Sequence, residues 1–294
     1  MNAHLTGMAV TSPAVALPDA DTLAREARLD ASLRAMGSLV VAFSGGVDSA
    51  YLALRAHHVL GARALAVTAD SPSLADEQRR TALELGARFG FALRVIHTAE
   101  VDDPRYVRNS ADRCYLCKSE LFRHLLPLAA REGYAHVAYG LIADDLDDFR
   151  PGHRAAREAG VRAPLAEAGL SKVDVRALSR AMGLPTWDRP ASPCLSSRIP
   201  YGTPVTLAAL RRVERAEAAL RALGLRELRV RHCGDAGRVE LAPEELGRLR
   251  EPGLRARVEA AVVGAGFARA VVDPLGYRRG RLNDALRVVA SASG

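Results

Sequence analysis

The sequence predicts an α/β fold: a Rossmann-like parallel sheet covered by helices, followed by a smaller C-terminal α+β domain. Three observations predict it. Short apolar runs alternate with helical stretches from about residue 38 to residue 140, the pattern of parallel strands joined by crossover helices. A glycine-rich loop, Ser44-Gly45-Gly46-Val47-Asp48-Ser49, separates the first such strand from its helix. After Thr203-Pro204 the order becomes helix, two strands, helix, strand, which suits a separate α+β unit.

Taken in order, an amphipathic helix is expected over about 21–37. Strand 38–43 is continuously apolar from Leu39 to Phe43, as a strand buried on both faces reads. Helix 49–60, strand 63–69, helix 75–89 and strand 92–97 follow, then a helix at about 117–132 and strand Ala135–Gly140. Ligands of such sheets bind beyond the carboxyl ends of the strands. The glycine loop, Thr68-Ala69-Asp70-Ser71 and Gly140-Leu141-Ile142 should therefore line one cleft. Residues 141–204 read as a loop-rich connection, broken by a helix near 172–182, and irregular stretches of that length are usually functional. Thr206 is the expected N-cap of a charged helix reaching about 223. Strands near 226–231 and 237–241, a helix from Pro243, a strand around 267–272 and a short terminal helix complete the chain. The expected division is a loose N-terminal extension at 1–20, a nucleotide-binding domain at 21–200 and a substrate or oligomerisation domain at 201–294.

At 294 residues and 49% apolar content, the chain supports a full core without staples. It contains no run long and apolar enough for a membrane span, and residues 1–20 lack the basic region of a secretory signal. A cytoplasmic protein with no membrane partner is expected. The net charge of +7 suggests an anionic partner. Its basic residues are almost all arginine and only 5% of the chain is aromatic, so nucleic acid is not the expected ligand. Lys118 and Lys172 are the two lysines, and a compact phosphate site favours an ammonium over a guanidinium. Four cysteines without an export signal argue for a reducing compartment and for thiol or metal chemistry.

The glycine loop permits close backbone approach to phosphate, with free N–H groups at a helix N-terminus facing the anion. It lacks the lysine of a Walker A loop. S-G-G-x-D-S instead resembles the pyrophosphate loop of adenylating ATPases, which release pyrophosphate and activate a substrate as its adenylate. ATP-binding candidates are thus Ser44, Gly45, Gly46, Val47, Asp48 and Ser49, with Thr68, Asp70, Gly140 and Lys172 at the same cleft. Arg150-Pro151-Gly152 and Gly169-Leu170-Ser171-Lys172 are further anion handles. The cluster Asp144-Asp145-Leu146-Asp147-Asp148 suits Mg²⁺ held beside ATP, or an acidic surface turn. Arg229 and Arg231 alternate on one strand, so they share a sheet face and suit either an anionic ligand or solvent.

Cys114-Tyr115-Leu116-Cys117 has C-x-x-C spacing but lies too late in the βαβ pattern for a thioredoxin-like dithiol. No second pair completes a structural zinc site. Cys194, in Ser192-Pro193-Cys194-Leu195-Ser196-Ser197-Arg198, is a third candidate, and three thiolates without a fourth suit a [4Fe–4S] cluster with one open iron. Spacing alone does not join Cys194 to the pair. Cys233 is either a fourth ligand or, as its place in the second domain favours, a free thiol. Arg113, Lys118 and Arg198 are the cations that could favour a thiolate.

Ser44–Ser49, Gly140–Asp148, Arg150–Gly152, Gly169–Lys172, Pro185–Asp188 and above all Cys194-Leu195-Ser196-Ser197-Arg198-Ile199-Pro200-Tyr201-Gly202-Thr203 occur in one order. Together they resemble the ATP-dependent sacrificial sulfur transferases (LarE-like) of nickel-pincer nucleotide biosynthesis, a branch of the pyrophosphate-loop ATPases. The resemblance runs from about residue 30 to the C-terminus. It implies adenylation of the carboxylates of a pyridinium-3,5-dicarboxylate mononucleotide and displacement of AMP by sulfur, giving thiocarboxylates whose product later serves lactate racemase and related nickel enzymes. Some members sacrifice a cysteine; others hold a [4Fe–4S] cluster on three. Cys114, Cys117 and Cys194 make this chain look like the cluster type, supplied by sulfide or a sulfur donor. The resemblance further implies Cys194 and Asp48 as catalytic residues, Arg229, Arg231 and Ser197 as the clamp on the substrate phosphate, ATP and Mg²⁺ as cofactors, and a trimer-based homo-oligomer, up to a hexamer. The alternatives are tRNA thiolation or amide synthesis by another enzyme of the superfamily, and a non-catalytic ATP or iron–sulfur sensor.

Overall fold

In the computed structural model, which describes residues 17–146, 151–278 and 281, helix α1 (Ala20–Met36) leads into strand β1 (Leu39–Ala42). The Asp19 carboxylate starts α1 by accepting the Thr22 N–H at 2.7 Å, and Gly37 ends it in the left-handed region at φ +73°. With β2 (Ala64–Asp70), β3 (Leu93–His97) and β4 (His136–Tyr139), β1 forms an all-parallel sheet in the order β3-β2-β1-β4. The chain winds outward from β1 to β3, then crosses back to place β4 on the other side of β1. Such a reversal opens a crevice at the carboxyl ends, between the loops that follow β1 and β4.

Alternation along β1 explains the two layers. Leu39 and Val41 pack with Leu29 and Leu33 of α1, Tyr51 and Leu54 of α2 (Val47–Leu60), and Leu85 of α3 (Asp76–Phe89). Val40 and Ala42 point the other way. A short helix, α4 (Pro104–Val107), precedes α5 (Arg113–Glu132), whose Phe122 and Leu125 cover that face with Ala155 of α6 (Pro151–Glu158). A Rossmann-like sheet covered on both faces is thus what the alternation of apolar runs expresses.

Two details differ from the sequence reading. Helix α5 begins at Arg113 rather than near 117, which puts both Cys114 and Cys117 in its first turns. The connection after β4 holds α6, α7 (Pro164–Glu167) and α8 (Lys172–Ala181), so it is more helical than expected. A capping box fixes the start of α8: the Ser171 hydroxyl accepts the Asp174 N–H while the Asp174 carboxylate accepts the Ser171 N–H at 2.8 Å. Residues 1–16 of the N-terminal extension, Asp147, Asp148, Arg150 and the expected terminal helix lie outside the described residues.

The second sheet follows α9 (Leu207–Ala222), which the Thr206 hydroxyl caps by accepting the Ala209 N–H at 3.1 Å. Strands β5 (Leu228–Cys233) and β6 (Ala236–Leu241) are an antiparallel hairpin. After α10 (Pro243–Arg248) and α11 (Leu254–Gly264), β7 (Arg269–Val272) joins β6 in parallel. The core beneath this sheet includes Leu210, Val213, Val230, Val239 and Val258, and it draws in Tyr106, Leu195 and Ile199. The Cys194 segment is therefore anchored on the second core while facing the first sheet. No described helix is long and apolar enough to cross a membrane.

Candidate active site

The loop after β1 is closed by its own hydroxyls. Ser49 Oγ donates to the Gly46 carbonyl at 3.1 Å, accepts the Ser44 N–H at 3.2 Å and lies 3.1 Å from Ser44 Oγ. Gly45 sits at φ +73°, and a Cβ there would meet the Gln78 carbonyl of α3 at 3.0 Å. Val47 is buried beneath the loop. Gly46 caps α2 without a side chain, so the first amides of the helix stay available to an anion and the helix dipole favours one there. Gly140, just past β4, would place a Cβ 2.8 Å from the Ser49 nitrogen, so β4 can lie this close to the loop only because it ends in glycine.

Lys172 closes this end of the cleft. Its Nζ meets the two Asp48 carboxylate oxygens at 2.6 and 2.5 Å across 124 residues of sequence. The Asp144 carboxylate accepts the Lys172 backbone N–H at 3.0 Å, which ties the first turn of α8 to the turn after β4. The structure thus brings Ser44–Ser49, Gly140 and Lys172 together. Thr68 is buried late in β2, and its hydroxyl has no hydrogen-bond partner among the described residues. Asp70, at the end of β2, lies 3.9 Å from Arg79 and 3.6 Å from His97.

The Cys194 segment docks on the strip between β2 and α3. The Leu195 N–H donates to the Ser73 carbonyl at 2.8 Å, and Gln78 Nε2 donates to the Ser192 carbonyl at 2.6 Å. Gln78 is also the residue whose own carbonyl lies against Gly45. One strip of chain therefore touches both the phosphate loop and the cysteine segment. On the other side stands Asn109, fully buried with φ +56°. Its amide donates to the carbonyls of Ile199 at 3.3 Å, Pro200 at 2.8 Å and Thr203 at 2.8 Å, while its Oδ1 accepts from Arg113 at 2.5 Å. Arg113 also donates to the Ser196 carbonyl at 2.9 Å, and the Tyr106 and Ser196 hydroxyls share a bond of 2.6 Å.

This frame brings Cys194 near enough to Cys114 and Cys117 for their charges to interact. Burial pushes the Cys114 thiol up and Cys194 adds to the effect, against Arg113 and Lys118, which pull it down. Burial also raises Cys117, reinforced by Glu100 and Cys194. The nearby cations that the sequence offered as thiolate stabilisers are therefore present, but burial outweighs them at both C-x-x-C thiols. Cys233 ends β5 as an exposed free thiol. Among the described residues no three His, Cys, Asp or Glu side chains are arranged to hold a metal ion. Three half-buried thiols beside Arg113 and Lys118 are nevertheless the donor chemistry of an iron–sulfur cluster, which spreads its ligands more widely than one ion does.

Beneath the segment lie buried charges. Arg198 and Glu217, each 1% exposed, form a bidentate pair at 2.8 and 3.0 Å. Arg198 also donates to the Cys194 carbonyl at 3.1 Å and to the Ser197 hydroxyl at 3.0 Å, so it shapes the turn that presents the cysteine. Burial works to raise the Glu217 pKa, but the charges of Arg198 and Arg221 and the bonds from Arg198 hold it below the usual carboxylate range. Arg231 pairs with Glu240 at 2.9 Å and donates to the Ser197 carbonyl at 2.7 Å. Arg229 hydrogen-bonds the Ala191 carbonyl and packs on the Tyr277 ring at 4.8 Å, with no carboxylate partner among the described residues. The two strand arginines share one face as expected, yet one is paired with a carboxylate that Arg238 and Arg281 share, and the other has none among the described residues.

Sequence reasoning missed Asn109, Tyr106, Gln78, Glu100, Glu217 and Glu240. Glu100 is a buried carboxylate accepting hydroxyls from Ser71, Ser73 and Thr98 next to Cys117. Glu217 did leave a signal: it falls on the Leu210-Val213-Leu220 stripe of α9, where a carboxylate implies a buried partner.

No protein-family model matches the chain. It is 44% identical over 247 residues to an uncharacterized protein of Synechocystis, covering 84% of this chain and 92% of that protein. It is 25% identical over 203 residues to an uncharacterized protein of Methanocaldococcus jannaschii, covering 69% and 77%. A third relative is the pyridinium-3,5-bisthiocarboxylic acid mononucleotide synthase of Lactiplantibacillus plantarum, 38% identical over 263 residues, which are 89% of this chain and 95% of that enzyme. With that identity across nearly the whole of both chains, and with a parallel α/β sheet carrying the glycine loop at its switch point, the chain belongs to the LarE family of sulfur transferases.

Proposed function

We propose that this protein is an ATP-dependent sulfur transferase that adenylates the carboxylates of pyridinium-3,5-dicarboxylate mononucleotide and converts them to thiocarboxylates. The observation that carries this reading is the Ser73–Gln78 strip, which lies close against the phosphate loop at Gly45 and hydrogen-bonds the Cys194 segment at Leu195 and Ser192. Activation and sulfur delivery need the same carboxylate in one place, and this strip would set the distance between the two machineries.

The chain's own groups fit the steps. A carboxylate is a poor electrophile until its oxygen attacks the α-phosphorus of ATP, expelling pyrophosphate and giving an acyl adenylate from which AMP can leave. The free amides at the start of α2 and the Lys172 ammonium would take the charge of the departing pyrophosphate. Bound Mg²⁺ would add Lewis-acid neutralisation of the same charge; Asp48, whose carboxylate pairs with Lys172 in the structure, would hold it once a nucleotide phosphate draws the ammonium away. Arg229 is the better handle for the substrate phosphate, since Arg231 is already paired with Glu240; Ser197 and Arg231 would complete the clamp. Cys114, Cys117 and Cys194 are the proposed ligands of a [4Fe–4S] cluster, which when bound would supply an iron able to carry sulfide. Ligation must remove the protons that burial retains on Cys114 and Cys117, so cluster loading is expected to improve with rising pH.

The test is to incubate the anaerobically reconstituted protein with ATP, Mg²⁺, sulfide and the dicarboxylate mononucleotide, following pyrophosphate and product mass. Substrate-dependent pyrophosphate release with oxygen-to-sulfur exchange is expected. Pyrophosphate release without exchange would leave an adenylating enzyme of another kind, and neither would remove the reading.

A further inference from the structure

Lysine occurs at two positions in this chain, and the fold brings both to the carboxyl ends of the first sheet, from opposite layers. Lys172 opens α8 on the layer of α2 and is paired with Asp48. Lys118 lies in the second turn of α5, on the other layer. As the crossover helix leading into β4, α5 starts at the carboxyl ends of the strands. The Lys118 Nζ lies 5.9 Å from the ring centroid of Tyr139, the last residue of β4, and 6.0 Å from that of Phe122. Gly140, next after Tyr139, is the glycine that packs on Ser49 of the phosphate loop. The stem of Lys118 is fixed as well. A Cβ on Gly152 would meet Lys118 Cγ at 3.1 Å and the Cys114 carbonyl at 3.5 Å, so α6 begins against the face of α5 that carries both residues. The ammonium itself meets only ring faces. It has no carboxylate, carbonyl or hydroxyl partner among the described residues, although the side chain is half-buried. Ring faces offset part of the hydration that a compact ammonium gives up, and its three donors remain unused.

We propose that Lys118 binds the α-phosphate of ATP and holds it while the substrate carboxylate attacks. This assignment rests on the adenylation reading above and adds a residue to it. In-line displacement puts the attacking oxygen and the departing pyrophosphate on opposite sides of the α-phosphorus. The loop amides and Lys172 would serve the pyrophosphate side. Lys118 comes from the other layer, between Gly140 at the loop and Cys114 one turn earlier on its own helix, and an activated carboxylate has to be within reach of both ends. In the step itself the carboxylate oxygen bonds to the α-phosphorus and the bond to the bridging oxygen breaks. Pyrophosphate leaves with that electron pair, and no proton moves. Two anions must approach each other here, and an ammonium fixed beside them lowers their repulsion. A compact point charge suits that position better than a planar guanidinium, which accounts for a lysine in a chain whose basic residues are otherwise almost all arginine.

The experiment titrates wild type and Lys118→Met by calorimetry with three probes: AMP, whose single phosphate is the α-phosphate; adenosine, which lacks it; and pyrophosphate with Mg²⁺. Wild type should bind AMP more tightly than adenosine. In Lys118→Met the AMP affinity should fall about ten- to a hundredfold, the worth of a charge-assisted hydrogen bond, while adenosine and pyrophosphate stay within about twofold of wild type. Equal AMP affinity in the two proteins overturns the assignment, and so does a wild type that binds AMP no better than adenosine. A parallel loss for AMP and pyrophosphate overturns it too, because Lys118 would then be a charge of the whole cleft. Should Lys118→Met fail to fold, Lys118→Gln, which keeps a donor without the charge, decides by the same titrations. Dicarboxylate-dependent pyrophosphate release is followed on the same preparations. At saturating ATP and dicarboxylate, Lys118→Met should be slower by about two orders of magnitude, and an unchanged rate overturns the role in the attack. Absence of release in wild type would remove the adenylation reading alone, and the AMP titration would still decide whether Lys118 holds the α-phosphate.

Discussion

The two ends of this cleft are built by opposite means. At the phosphate end, the hydrogen bonds that close the Ser44–Ser49 loop span no more than five residues, Ser44 and Gly46 are exposed, and the long-range Lys172–Asp48 pair is partly solvated. At the sulfur end, Arg113 reaches 83 residues to Ser196, Asn109 reaches 94 to Thr203, and the Arg198–Glu217 pair is almost fully buried. The difference fits the proposed function. A nucleotide would have to enter and leave, which suits open amides; a sulfur nucleophile would compete with water, which suits a buried surround. Stability and catalysis should therefore separate, with substitutions at the sulfur end unfolding the protein and those at the phosphate end chiefly disabling it.

The largest stability effect is expected for Glu217→Ala. It leaves Arg198 buried without a counter-charge and deprives the Val230 N–H of its acceptor at 3.1 Å. A loss of about 3–5 kcal/mol is expected by denaturant unfolding. A loss below about 1 kcal/mol, the scale of a surface pair, would erase the contrast between the two ends. The same pair sets an acid dependence. Because Glu217 is held below its ordinary pKa in the folded state, its contribution is present above the unfolded value of about 4.3 and is lost as pH falls through the folded value. Stability of wild type should fall as the pH drops below about 4, and Glu217→Gln should flatten that part of the profile.

Next in size is Gly140→Ala. The added Cβ would fall 2.8 Å from the Ser49 nitrogen, on backbone that cannot yield like a flexible side chain. A cost of about 1–3 kcal/mol is expected, with pyrophosphate release reduced far more than that loss of folded protein explains. Full activity in the folded variant would mean that β4 does not set the position of the loop.

The phosphate end was also the more legible in sequence, for the same reason. Glycines, hydroxyls and an apolar strand within a dozen residues state a phosphate loop locally, and alternating apolar runs state a parallel sheet. The start of α5 was misjudged because its first turn is anchored by Arg113 on Asn109 and Ser196, a contact no local pattern encodes. The ion pair of Arg231 was hidden too. Its partner Glu240 lies directly opposite Arg229 in the hairpin, so the pair is diagonal, and only the strand register reveals it. Spacing could not link Cys194 to the C-x-x-C pair; the resemblance carried that link, and the fold supplies its physical means in Asn109 and Arg113, which tie the first turn of α5 to the Cys194 segment.

The smallest stability effect, and the sharpest division between the two ends, is expected for Lys172→Met. The Lys172 and Asp48 side chains retain 29% and 23% of their exposure, so their attraction is screened and offset by the entropy of fixing a long side chain. The first turn of α8 does not depend on that ammonium. It is held by the Ser171–Asp174 capping box and by the Asp144 carboxylate on the Lys172 backbone N–H, and methionine leaves each of these intact. Unfolding free energy should therefore change by less than about 1 kcal/mol. Pyrophosphate release should nevertheless fall by about two to three orders of magnitude, because a preorganised charge aimed at a departing anion acts at full strength only in the transition state. Calorimetric unfolding and pyrophosphate release measured on one preparation separate the cases. A destabilised Lys172→Met would show that Lys172–Asp48 is a structural strut like Arg198–Glu217, and the two ends of the cleft would then differ in position but not in kind.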